Sequence, residues 1–334
     1  MPDKTPASPP LRILVRSPNW LGDAVMAIPA IKNIAARLDS ETFCIICKKG
    51  LGDLFRRYDF VDEVVEFAPN DSGKAHKNLY GKKFDTVFLF TNSFHSAWDA
   101  RKTGARTIIG FKGAFRNILL SQKLEKPRNA HMADYYMALA PAMPESSPRP
   151  TADFPLLAEE IEFASRLSSI EGAIGVPLGA RYGPAKCWPP ENLAAFIRLV
   201  IEKTGTNIVL FGTDAESSQA TELERTQPDR IKNLAGKTSI GQMAAVMKRC
   251  RAVVANDSGP LHVAAALGVK TIALFGPTDP NRTAPLAENV RVIYNDADCA
   301  PCFKRECPSD FQCMNMKDIT PEAVFEEINK IIPE

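Results

Sequence analysis

Three segments of this 334-residue chain combine reactive side chains with turns able to aim them. Gly22-Asp23 sets a carboxylate at the opening of a helical pattern. There it either caps the helix or takes a proton from a hydroxyl as a general base, and spacing leaves both open. Asn256-Asp257-Ser258-Gly259-Pro260-Leu261-His262 follows a strand pattern and begins another helix. Pro260 fits the first helical position, and free N–H groups beside Gly259 would seat a diphosphate. A cap made by Asp257 or Ser258 is the plainer alternative, and His262 alone reads as a packed or surface residue. Lys186, in Pro184-Ala185-Lys186-Cys187-Trp188-Pro189, falls in a loop after a strand. It is either solvent-facing or placed to neutralise charge on a leaving diphosphate.

Cys299, Cys302, Cys307 and Cys313 put four thiols within fifteen residues. Such a group would hold zinc or an iron–sulfur cluster, but the spacing departs from paired C-x2–4-C patterns, so reduced thiols come first. Cys44 and Cys47 lie inside an apolar strand, where alternation turns them to opposite faces as core residues. Asp296-Ala297-Asp298 offers two loop carboxylates, too few by themselves for a hard cation. Other motifs are missing: there is no G-x-G-x-x-G, no H-E-x-x-H, and Gly236-Lys237-Thr238 lacks the upstream glycine of a P-loop.

These groups need a scaffold, and the composition is that of a globular one. Hydrophobic residues make up 45% and charged residues 24%, which excludes a disordered chain. The length allows two cores. No apolar run reaches the roughly 18 residues of a membrane span, and the proline-rich start 1–10 has no signal-peptide core, so we expect a cytoplasmic location. The net charge of +2 is uninformative, but Arg101 to His131 carries eight basic residues against Glu125 alone. Lys74, Lys77, Lys82 and Lys83 form a second group. Each is either a solvated face or an attractor for an anionic partner.

Short apolar runs alternate with helical periodicity along the chain. Strands are expected near 11–17, 42–47, 63–67, 86–90 and 106–110, with a helix over 24–38. Pro141 to Pro155 holds five prolines and reads as a linker. A second series follows, with strands near 172–177, 207–211, 231–234, 252–256 and 270–275. A last helix begins at Thr320-Pro321-Glu322, a good N-cap followed by proline. The fold class expected is α/β, two doubly wound Rossmann-like domains facing across a cleft, with ligands at the C-terminal strand ends. The boundaries expected are a tail at 1–10 and domains at 11–155 and 156–334.

The segments RSPNWLGDAVMAIPA (16–30), TNSFHSAW (91–98), NDSGPLHVAAALGVKTIALFGPTDPNRTAP (256–285) and CAPCFKRECP (299–308) occur in one order. Together they resemble the lipopolysaccharide heptosyltransferases, glycosyltransferase family 9, over nearly the whole chain. The Pro-Asn-Trp-Leu-Gly-Asp and Asn-Ser-Phe pieces favour members that add the second heptose.

That resemblance implies a GT-B fold, with acceptor in the N-terminal domain and ADP-heptose in the C-terminal one. It also implies inversion at the anomeric carbon, with no metal or other cofactor required. It makes Asp23 the general base, gives Lys186 the donor phosphates, and assigns donor contacts to Asp257, Ser258 and Gly259, with His262 nearby. Glu216, in a loosely matching loop, would touch the nucleoside; Asn92, Ser93 and Arg116 would serve the acceptor. One departure is Pro260, which stands where many members have Leu or Met. The partners implied are the ADP-sugar, the lipopolysaccharide inner core and a transient contact with the inner-membrane surface. Nucleic acid is not expected, because the basic residues lack interleaved stacking aromatics. Two competitors remain: another transferase of the family, including one adding the first heptose, and a cysteine-ligated metal protein or sensor.

Overall fold

The computed structural model describes residues 9–68, 77–113, 115–143, 151–168, 170–294, 297–308 and 314–332. Contacts divide the chain into two compact units. One comprises Met1–Asn19 and Ala27–Pro150, the other Trp20–Met26 and Thr151–Glu334. The short stretch around Asp23 therefore groups with the C-terminal half of the sequence, although it follows the first strand.

Six parallel strands build the first unit: β1 (Leu11–Arg16), β2 (Ser40–Lys48), β3 (Glu63–Phe67), β4 (Thr86–Leu89), β5 (Thr107–Phe111) and β6 (Gln122–Leu124). Their order is β3-β2-β1-β4-β5-β6. Ile13, Val15, Phe43, Cys44, Ile45 and Cys47 are wholly buried, as expected of central strands covered on both faces. Both cysteines are free thiols. The helix begins earlier than periodicity suggests, at Leu21, and runs to Arg37 with Pro29 inside it.

The second unit repeats the plan with β7 (Ile174–Pro177), β8 (Ile208–Phe211), β9 (Ile231–Asn233), β10 (Ala252–Asn256), β11 (Thr271–Phe275) and β12 (Val290–Tyr294). The order is β12-β11-β10-β7-β8-β9, again all parallel. Leu193, Phe196, Ile197, Val200 and Ile201 supply the buried stripe of the helix Pro190–Thr204, a helical spacing that follows from 3.6 residues per turn. Gly205, at φ 65°, ends that helix in the left-handed region, which glycine enters at little cost. The last helix, Pro321–Ile331, starts where Thr320 accepts a hydrogen bond from the Ala323 N–H at 3.2 Å.

Two strands escaped the sequence reading. β6 is short and exposed, and β12 is only half-buried, so neither shows an apolar run. Both are sheet edges, where one side needs no covering. In each sheet the strand order reverses between the first and fourth strands, β1 and β4 or β7 and β10. Loops at the C-terminal ends of such neighbours diverge and leave room for ligands. Most candidate residues lie in such a loop or in the helix turn that follows it: Asp23 after β1, Asn92 and Ser93 after β4, Lys186 after β7, and Asp257 to Gly259 after β10; Glu216 follows β8, the neighbour of β7.

Candidate active site

In the second unit, the helix Gly259–Ala266 opens after Ser258, whose backbone is extended and whose side chain makes no capping bond. Asp257 does not cap it either. Its carboxylate accepts hydrogen bonds from Lys186 Nζ and from Thr278 Oγ1, the latter at 2.6 Å. The expected cap is thus absent because its two candidates are otherwise placed, and Pro260 occupies the second helical position rather than the first. Ser258 Oγ is buried without a protein partner. A helix start left uncapped in this way presents its N–H groups and positive dipole end to an anion.

Lys186 and Asp257 form a buried ion pair, their side chains 10% and 4% exposed. Tyr182 lies under the ammonium, its ring centroid 4.7 Å from Nζ. The lysine loop is tied to the end of β10 by Trp188 N–H donating to Asn256 Oδ1 at 3.0 Å, while Asn256 Nδ2 donates to the Leu178 carbonyl at 3.1 Å. So Lys186 is not a solvent-facing loop lysine. It is held over the helix start by the residue just before Ser258.

Glu216 sits at the ends of β7 and β8. Its Oε2 accepts from the Thr213 N–H and hydroxyl, both at 2.7 Å. Oε1 lies 2.5 Å from where a Cβ on Gly179 would stand, so a side chain there would displace the carboxylate. The carboxylate closes its own turn, and one oxygen remains at the strand ends.

The Trp20–Met26 stretch brings Asp23 to this same unit. Asp23 is the third residue of its helix, half-buried, and the Ala24 N–H bonds the Trp20 carbonyl at 2.8 Å. Asp23 is therefore inside the first turn and not the N-cap residue. Its neighbour Gly22 faces His262: a Cβ on Gly22 would lie 2.8 Å from the imidazole Cδ2. Reciprocally, a Cβ on Gly259 would lie 2.7 Å from the Leu21 Cβ. Two helix starts thus meet through two glycines, and His262 is a buried packing partner of the turn that carries Asp23.

In the first unit, Asn92, Arg116 and Tyr135 come together. Asn92 Nδ2 donates to the Tyr135 hydroxyl at 2.6 Å, and Arg116 Nη1 donates to the Thr91 carbonyl at 2.7 Å. Arg116 is fully buried, so for this residue of the basic stretch the solvated-face alternative does not hold. Desolvation lowers its pKa, opposed by the nearby Tyr135; burial in turn raises that of Tyr135. Arg116 Nε and Nη2 and Thr91 Oγ1 are all buried without protein partners, a cost that a polar ligand group would relieve. Ser93, by contrast, spends its hydroxyl on capping the helix Phe94–Lys102, accepting from the Ser96 N–H at 3.1 Å. Tyr135, Thr91, Tyr182 and Thr278 were missed in the sequence, where nothing marks a lone tyrosine or threonine before its neighbours are known.

Among the described residues no three of His, Cys, Asp and Glu stand close enough to hold a metal ion; Cys313 and Asp296 lie outside them. Cys299, Cys302 and Cys307 are free thiols. Their segment docks on the lysine loop, with Ala185 N–H donating to the Arg305 carbonyl at 3.1 Å and Tyr182 hydroxyl to the Phe303 carbonyl at 2.5 Å. Burial pushes the Cys44, Cys47 and Cys250 thiols up to about 12. Since the thiolate is the nucleophile, an alkylating reagent at neutral pH should label the exposed Cys299 quickly and spare these three until unfolding. Mass spectrometry of labelled peptides checks this. The same shift has a stability consequence. A folded-state pKa above the ordinary thiol value of 9.0 gives stability that is whole below that pH and is lost as pH rises towards 12.

The family model for glycosyltransferase family 9 (heptosyltransferase) matches residues 72–312. Lipopolysaccharide heptosyltransferase 2 of Escherichia coli is 30% identical over 96% of this chain and 99% of its own. Lipooligosaccharide heptosyltransferase 2 of Haemophilus ducreyi is also 30% identical, over 96% of this chain and 99% of its own. The structure of the E. coli ADP-heptose lipopolysaccharide heptosyltransferase II superposes with a TM-score of 0.83 at 29% identity, covering 96% of this chain and 98% of that one.

Proposed function

The chain belongs to glycosyltransferase family 9, the heptosyltransferases, with the α/β fold of the GT-B type, and from that premise we propose that it transfers heptose from ADP-heptose to the lipopolysaccharide inner core. The step is the second heptose addition, with inversion. Support for the step comes from relatives that carry the name heptosyltransferase 2 across nearly their full length.

One observation carries the site assignment: an uncapped helix start with Ser258 Oγ unpartnered and Lys186 fixed beside it. That arrangement suits a diphosphate, with Glu216 at the neighbouring strand end towards the nucleoside. Asp23 takes the proton from the acceptor hydroxyl, whose oxygen attacks the anomeric carbon. The bond to ADP breaks, and the negative charge on the leaving diphosphate is stabilised by Lys186 and the N–H groups around Gly259. The unpartnered polar atoms of Arg116 and Thr91, beside Asn92, support an anionic or hydroxyl-rich acceptor in the first unit. Ser93 contributes by capping its helix with its hydroxyl, not by touching the acceptor. No metal or cofactor has a part in this reading.

The acceptor is lipid-linked, and no helix among the described residues is long and apolar enough to cross a membrane. The proposed workplace is the cytoplasmic face of the inner membrane. A coupled ADP-release assay tests the function, using ADP-heptose with core acceptors bearing no heptose or one. Turnover on the one-heptose acceptor only is expected. Preference for the acceptor without heptose would make this the first transferase, and silence with both would overturn heptose transfer.

A further inference from the structure

Arg116 is drawn fully into the first unit, and the turn around it is thereby inverted outward. Phe115 sits at φ 58°, in the left-handed region, with 86% of its surface exposed, and Ile118 is 78% exposed. In a 3-10 turn, residues three apart share a side. A bulky residue held in the left-handed region is costly, and here the position turns a phenylalanine out to solvent. The neighbouring helix Phe94–Lys102 packs against this turn and adds Phe94 and Trp98, each nearly half exposed and stacked on each other at 6.3 Å. Exposed cations flank these four in sequence: Arg101 and Lys102 in the last turn of the helix, Lys112 before the turn, and Lys123, Lys126 and Arg128 after it. Of this group, Lys112 alone pairs with an acid among the described residues, Glu125.

We propose that Phe115 and Ile118, backed by Phe94 and Trp98, form a wedge that enters the interface of an anionic lipid bilayer while the flanking cations meet its headgroups. The pairing of apolar tip and basic rim matches such a surface. The tip pairs Phe115 with Ile118, an aliphatic residue on which no base can stack, and Phe94 and Trp98 already stack on each other, so a bilayer fits this apolar tip better than nucleic acid or an acidic protein. The inference rests on the reading of the acceptor as a lipopolysaccharide, which would keep the enzyme at a membrane surface.

Flotation of the full chain with vesicles provides the test, using phosphatidylcholine alone and phosphatidylcholine mixed with phosphatidylglycerol. The wild-type chain should float with the mixed vesicles, and the Phe115→Ser/Ile118→Ser variant should bind them at least tenfold less. Phe115→Trp should show emission quenched by brominated lipid chains. Turnover of the double variant on a deacylated, soluble acceptor should stay at the wild-type level, which also shows that it folds. Equal flotation of variant and wild type, absent quenching, or equal binding to neutral vesicles would each overturn the proposal. So would parallel loss of soluble-acceptor turnover, because the residues would then belong to the acceptor site. Vesicle binding that survives while heptose transfer fails would instead strike the functional reading alone.

Discussion

Asp23→Asn is expected to lower turnover by about 10²–10⁴, the usual worth of a positioned general base, while leaving ADP-sugar affinity nearly intact. The amide keeps the size of the carboxylate and its place in the first helical turn, so the packing of Gly22 on His262 persists. What disappears is the ability to take a proton as the acceptor oxygen attacks. Rate by ADP release and affinity by calorimetry separate the two effects. If the variant turns over at the wild-type rate, Asp23 is not the base. If rate and donor affinity fall together, its role is to hold the helix start.

The Lys186→Met variant should suffer twice. Removing one partner of a buried pair strands the other charge, at a cost of about 3–5 kcal/mol, a large part of a typical domain's stability. Among the described residues, the Asp257 carboxylate would keep its Thr278 bond alone. The cation that meets the leaving diphosphate would also be gone. Adding Asp257→Asn to Lys186→Met removes the stranded charge, so denaturant unfolding should recover much of the lost stability while turnover stays low. Recovery of both would reduce Lys186 to a structural partner of Asp257. Recovery of neither would mean that the damage lies in packing against Tyr182 rather than in charge.

The two halves of this prediction show where sequence reading stops. Asn256 to His262 announced a strand, a tight turn and a helix, and a phosphate seat was legible there. Whether Asp257 or Ser258 capped that helix was not, since capping depends on what else competes for each side chain. Lys186 is 71 residues from Asp257, and no local pattern records a bond across that distance. Arg116 illustrates the same limit in reverse. It falls in a basic stretch that composition left open between a solvated face and an attractor for anions, yet its guanidinium runs inward to the Thr91 carbonyl 25 residues away. The edge strands β6 and β12 were missed because burial on one side only leaves no apolar run to read.

By itself, then, the sequence determined the alternation of strand and helix, the turns that end the inner strands, and the family to which the chain belongs. Those properties are written in local periodicity and in short runs of residue types, which each segment carries wherever it is placed. Only tertiary structure decided which polar groups would be satisfied by one another and which would be left for a ligand. Partner choice among buried groups is set by approach in space, and Ser258, Thr91 and Arg116 stand apart from otherwise similar residues only once that approach is known.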